Sequence, residues 1–155
     1  MIKRLALIVF ALSFQTAFAG STEDVLGLVQ KQWEARNSND YQTQFNLTSK
    51  AGSLTANSNG TFFSESEKGT LEQLADDLSN IKESNVTVRY PEAIELSGTV
   101  VLARYYLEGQ IEFADGTREA NYRTRVTHIW VKESDGWKSR SWHFSPLHNG
   151  GVHRD

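Results

Sequence analysis

The strongest constraint in this sequence is the stretch from Val86 to Phe144, which reads as β-strand almost throughout and is punctuated by Asp-Gly pairs. Val86, Val88 and Tyr90 alternate with polar residues before Pro91. A long strand then covers 99–113 and turns at Asp115-Gly116. A second covers 118–132 and turns at Asp135-Gly136, and a third runs over 137–144. Strands joined by two-residue turns pair antiparallel, so this half of the chain predicts a meander of long strands. Gly109, inside one of them, is the expected position of a bulge that bends the sheet.

Upstream the hydrophobic period changes from two to 3.6. Ser21 and Asp24 suggest a helix start, with Val25, Leu28, Val29 and Trp33 on one face and the polar run 36–39 as its stop. Asp40 is placed to cap a short second helix carrying Tyr41, Phe45 and Leu47. Two short strands are expected over 53–57 and 61–64, around a Ser58-Asn59-Gly60 turn. Thr70 and Gln73 form a capping box for a third helix with Leu71, Leu74, Ala75, Leu78 and Ile81 on its apolar face. Segregated helices beside an antiparallel sheet give the class α+β: three helices and about six strands, the sheet curving around the first helix.

The N-terminus is expected to be removed. Lys3 and Arg4 precede a short apolar run, and Ala17-Phe18-Ala19 offers a small-x-small cleavage site. The expected organisation is therefore a secretion signal at 1–19, one domain at 20–148 and a polar tail at 149–155, with export to a bacterial periplasm or beyond. The apolar run is too short for a membrane anchor. Loss of Lys3 and Arg4 takes the formal net charge from −3 to −5, and no basic run offsets it. Such a domain is a poor nucleic-acid ligand. The chain has no cysteine, which excludes disulfides, thiolate metal sites, thiol catalysis and lipoprotein attachment. His143, His148 and His153 do not have metal-ligand spacing, so neither a metal nor a cofactor is expected.

The stretch Arg125-Val-Thr-His-Ile-Trp-Val-Lys132, then Asp135-Gly-Trp-Lys138, then His143-Phe-Ser-Pro-Leu147 resembles the ending of SnoaL-like proteins of the nuclear-transport-factor-2-like superfamily. The positions of Trp33 and Asp40 fit as well. The resemblance implies a cone-shaped α+β fold, with the strand faces bearing Arg125, Thr127 and His143 turned into the cone. It implies a mixed cavity in which Trp33, Phe45 and Tyr105 form apolar walls and Arg125 meets the carboxylate or carbonyl of a small molecule. A structural ion pair with Asp40 or Glu34 is the competing role for Arg125. His143 is the best acid–base candidate, with Asp40 as the other possible base. His128, on the opposite strand face, is expected at the surface or packed on the sheet. The function that follows is small-molecule binding. The alternatives are a lyase or isomerase moving a proton beside a carbonyl, and a self-association module. Members of the superfamily commonly pair through the outer sheet face, so a homodimer is expected, displaying Tyr122, His128 and Trp130 at its contact.

Overall fold

The computed structural model describes the backbone over residues 2–57 and 62–147, and the side chains from Gly20 onward within those ranges. The elements in chain order are helix α1 (Ile2–Asn37), helix α2 (Tyr41–Leu47), strands β1 (Ser53–Ala56) and β2 (Ser64–Ser66), helix α3 (Leu71–Asp77), and strands β3 (Ile81–Ser97), β4 (Val100–Phe113), β5 (Arg118–Glu133) and β6 (Gly136–Pro146). The strands form one sheet in the order β2-β1-β6-β5-β4-β3. The class is the α+β cone that the sequence implies.

Several details differ from the sequence expectation. The α1 helix runs unbroken through Ser21 and Asp24, so these residues do not begin it. Strand β1 pairs parallel with β6, in register Leu54–Ser141 and Ala56–His143, which makes the sheet mixed. Strand β3 continues through Pro91 because it is an edge strand, where a missing N–H costs no ladder bond. A bulge between Arg89 and Glu92 absorbs the irregularity, with Tyr90 at φ 49°. The α3 helix has its capping box, but it is short and only half-buried, and Ile81 leaves it to open β3. The expected turn at Ser58-Asn59-Gly60 and the tail with His148 and His153 lie outside the described residues.

The core sits between α1 and the concave face of the sheet. Val25 and Val29 are fully buried and Trp33 nearly so, one helical turn apart, against Val101, Ala103, Tyr105 and Leu107 of β4 and Val126 and Trp130 of β5. Burial of each large apolar side chain contributes about 1.5–3 kcal/mol. At its C-terminal end α1 is locked to the sheet edge by Asn37. Its amide donates to the Val86 carbonyl at 2.8 Å, while its Oδ1 accepts from the Val86 N–H at 3.1 Å and the Ser84 hydroxyl at 3.0 Å. These bonds occupy backbone groups that an edge strand otherwise leaves open.

Candidate functional site

Side-chain direction on β5 decides where any site can be. Thr124, Val126, His128 and Trp130 are buried on the concave face, whereas Arg123, Arg125 and Thr127 are exposed on the convex one. The expected orientation is therefore reversed. Arg125 and Thr127 point out of the cone, and among the described residues Arg125 has no ion pair with Asp40, Glu34 or any other carboxylate. His128 and Trp130, expected at the outer surface, are fully buried. On β6 a bulge at Arg140 causes the second reversal: Ile129 pairs with Ser141 and Trp130 with Ser139, leaving Arg140 extra. The side chains change faces across it. Trp137 and Ser139 face inward before it, Trp142 and Phe144 after it, and His143 opposes Thr127 on the convex side.

Of the other expected site residues, Asp40 is exposed and caps α2, accepting from the Thr43 N–H at 2.9 Å. Its hydrogen bonds with Thr43 hold its pKa below the ordinary carboxylate value. Phe45 is half-buried beneath the Lys68 ammonium, 4.3 Å from the ring centroid, and does not line the cavity described below. Trp33 and Tyr105 face inward and meet in a buried polar chain. The Trp33 indole N–H donates to the Tyr105 hydroxyl at 3.0 Å, that hydroxyl lies 3.1 Å from His128 Nδ1, and His128 Nε2 lies 2.8 Å from the Ser139 hydroxyl. An indole can only donate, so Tyr105 gives its own proton to Nδ1, and a neutral His128 donates from Nε2 to Ser139. The opposite direction would leave the Tyr105 proton without an acceptor. Burial keeps both groups uncharged: it pushes the Tyr105 phenol above its usual pKa and lowers His128 to about 3.

Above this chain opens a cavity of about 790 Å³, within the usual range for small-molecule sites. Trp33, Trp142 and Phe144 form its aromatic wall. Trp142 stacks on His128 at 4.6 Å and on Phe144 at 5.9 Å, and Trp33 meets Trp142 edge-on at 6.4 Å and Phe144 at 6.3 Å. Ile81, Ile111, Phe113 and Tyr122 extend the apolar lining, and Ser53, Thr55, Asn57, Asn80 and Asn121 supply hydroxyls and amides. Among the described residues three charged ones line it: Arg36, Glu119 and Arg123, the last with its guanidinium turned to Glu108 on the convex face. Arg123 pairs with Glu108 at 3.4 Å, and Glu119 is exposed. Among the described residues the lining contains no histidine, and Glu119 is its one carboxylate.

Sequence reasoning missed Arg36, treating it as part of the helix stop. The signal was present, because positions 25, 29, 33 and 36 continue one helix face and place Arg36 a turn beyond Trp33. It also missed Trp142 and Phe144, whose inward direction depends on the Arg140 bulge. Among the described residues no group of His, Asp and Glu is arranged to hold a metal, and no helix is long and apolar enough to cross a membrane.

Comparison with known proteins agrees with this architecture. A family model for the SnoaL-like domain matches residues 25–149. No curated protein matches the chain. Among solved structures, an uncharacterised cystatin-like protein from Caulobacter vibrioides superimposes with a TM-score of 0.68 at 18% identity, covering 83% of this chain and 91% of its own. A candidate dehydratase of the NTF2-like family from Streptomyces avermitilis gives 0.68 at 17% identity, with 84% and 99% covered. The CaMKII hub of S. rosetta gives 0.63 at 16% identity, with 81% and 96% covered. At these identities the likeness is one of fold, and the neighbours' activities do not transfer. The family match, spanning most of the chain, makes this protein a member of the SnoaL-like domain family, with an NTF2-like cone fold.

Proposed function

We propose that this domain binds a small, partly apolar molecule in the cavity beside Trp33, Trp142 and Phe144, and does so without transforming it. The observation that carries this reading is the composition of the lining: among the described residues, a large aromatic-walled space with no histidine and with the exposed Glu119 as its one carboxylate, so no enclosed imidazole or carboxylate base. The rival lyase or isomerase reading needs such a group beside the reacting carbon. Of its two candidate bases, Asp40 caps a helix at the surface and His143 lies on the convex face. His128 is inside, but both its nitrogens are engaged and it is not part of the lining.

Native mass spectrometry of protein purified from its own source tests this directly. A retained small molecule, displaced when Asn121→Trp narrows the cavity, is the expected result. A retained molecule that the protein converts to a product, or full retention in Asn121→Trp, would overturn the reading.

Two further features belong to the same proposal. Export rests on the leader pattern at 1–19 and on the family match starting only at residue 25. N-terminal sequencing of secreted material should return Gly20, and an intact Met1 would contradict it. Pairing of two copies through the convex face is supported by its exposed apolar side chains, among them Tyr90, Ile94, Leu96 and Tyr106. On this reading Arg125, Thr127 and His143 contribute to a protein contact rather than to the cavity.

A further inference from the structure

We propose that the cavity selects planar aromatic carboxylates, the Arg36 guanidinium pairing with the anionic group while the ring rests against Trp142 and Phe144. The inference rests on the binding role proposed above and deepens it to a ligand class. Arg36 lies in the last turn of α1, held beside the cavity by the neighbouring Asn37 lock on Val86 and Ser84. Part of its side-chain surface stays open to the cavity while protein surrounds the rest, and this loss of water pushes its pKa down. The titratable groups acting on it are the phenols of Tyr122 and Tyr41. Among the described residues, no carboxylate or carbonyl accepts a hydrogen bond from its side chain.

A partly desolvated guanidinium without an acid is a costly arrangement in the free protein, and an anion entering the cavity would relieve it. The planar fork of donors matches a carboxylate with two parallel bonds. The remaining lining charges favour a monoanion over a phosphate. Arg123 is committed to Glu108, and the Glu119 carboxylate would repel a second negative charge. The apolar part of the ligand is set by the wall. Trp142 and Phe144 lie nearly parallel, inclined by only 26° in a stacked pair, and form an aromatic wall against which a flat ring can pack. Serine, threonine and asparagine side chains across the cavity can accept hydroxyl substituents on that ring.

Isothermal titration with 2-naphthoate and its neutral counterpart 2-naphthamide tests the proposal. The wild-type protein should bind the acid at least about tenfold more tightly than the amide, the gap expected from one charge-assisted contact. Arg36→Gln should erase that preference, weakening the acid by about tenfold to a hundredfold while leaving the amide within about twofold. Arg36→Lys, which keeps the charge without the fork, should fall between. Equal affinities in the wild type, or a preference that survives Arg36→Gln, would overturn the anchor and leave the cavity reading standing. Binding of neither compound would overturn the aromatic-carboxylate class, while a molecule retained in native mass spectrometry would still uphold the cavity reading. The acid–amide comparison in the wild type needs no variant, and collapse of the Arg36→Gln fold would itself assign Arg36 a structural role and sink the proposal.

Discussion

His128 combines full burial, a neutral ring and two occupied nitrogens, so its protonation requires breaking the chain that supports Trp33. Its folded pKa of about 3 lies below the ordinary value of 6.5, which means the unfolded chain binds the extra proton first. The stability tied to this residue is therefore complete above about pH 6.5. It falls as pH drops toward 3, at roughly 1.4 kcal/mol per unit, for a total on the order of 5 kcal/mol. Urea unfolding at pH 7.5 and pH 4.5 should show this slope in the wild type and a shallower one in His128→Gln. Equal slopes would mean that another group controls the acid response. Tyr105→Phe removes the central link and leaves both the Trp33 N–H and His128 Nδ1 unpartnered. A loss of about 2–4 kcal/mol is expected, measured by the same denaturant titration.

At the level of elements, the sheet's shape depends on positions where its regular pairing fails. Gly109 sits at the register shift between β4 and β5, with β3 pressed against it. A Cβ built there would stand 2.0 Å from the Asn85 carbonyl oxygen and 2.7 Å from the Val86 Cα, so the two backbones would have to separate. Gly109→Ala should cost about 2–4 kcal/mol. Gly116, in the Asp115-Gly116 turn, provides the control. Its φ of 85° strains a side chain, but nothing lies within 4 Å of the added Cβ, and about 1 kcal/mol is expected for Gly116→Ala. Comparable losses at both sites would mean that backbone crowding at the bend is unimportant. The Arg140 bulge acts through direction rather than bulk, because without it His143 rather than Trp142 would face the cavity.

For the whole molecule, the reversal of β5 changes which residues can bring two copies together. Trp130 has no exposed surface, so replacing it with Glu would unfold the domain rather than split a dimer. On the convex face, Tyr106 is 40% exposed and packs edge-on to Tyr90 with ring centroids at 6.4 Å. Light scattering at micromolar concentration should give a dimer mass for wild-type protein and a monomer mass for Tyr106→Glu, with an unchanged circular dichroism spectrum. A monomeric wild type, or a dimer insensitive to Tyr106→Glu, would remove the convex face as the contact.

Local physics in the sequence was enough for the elements and their order. The Asp-Gly turns, the alternation along β4 and β5, the Asp40 and Thr70 caps and the Val25-Val29-Trp33 stripe each depend on near neighbours alone. Alternation also divides β5 into two faces, and Val126 and Trp130 mark one of them as apolar. It does not say which face meets α1. The family resemblance suggested the face with Arg125, whereas packing chose the face that buries Trp130 and Val126 and leaves two arginines in water. Strand period is two, so that single choice relocated every expected site residue on β5 together. The one extra residue at Arg140 did the same for His143, Trp142 and Phe144. Bulges and face selection are settled by the partner strand and the helix across the core, and these are tertiary contacts. The same contacts put Arg36 at the cavity wall, where among the described residues it has no carboxylate partner.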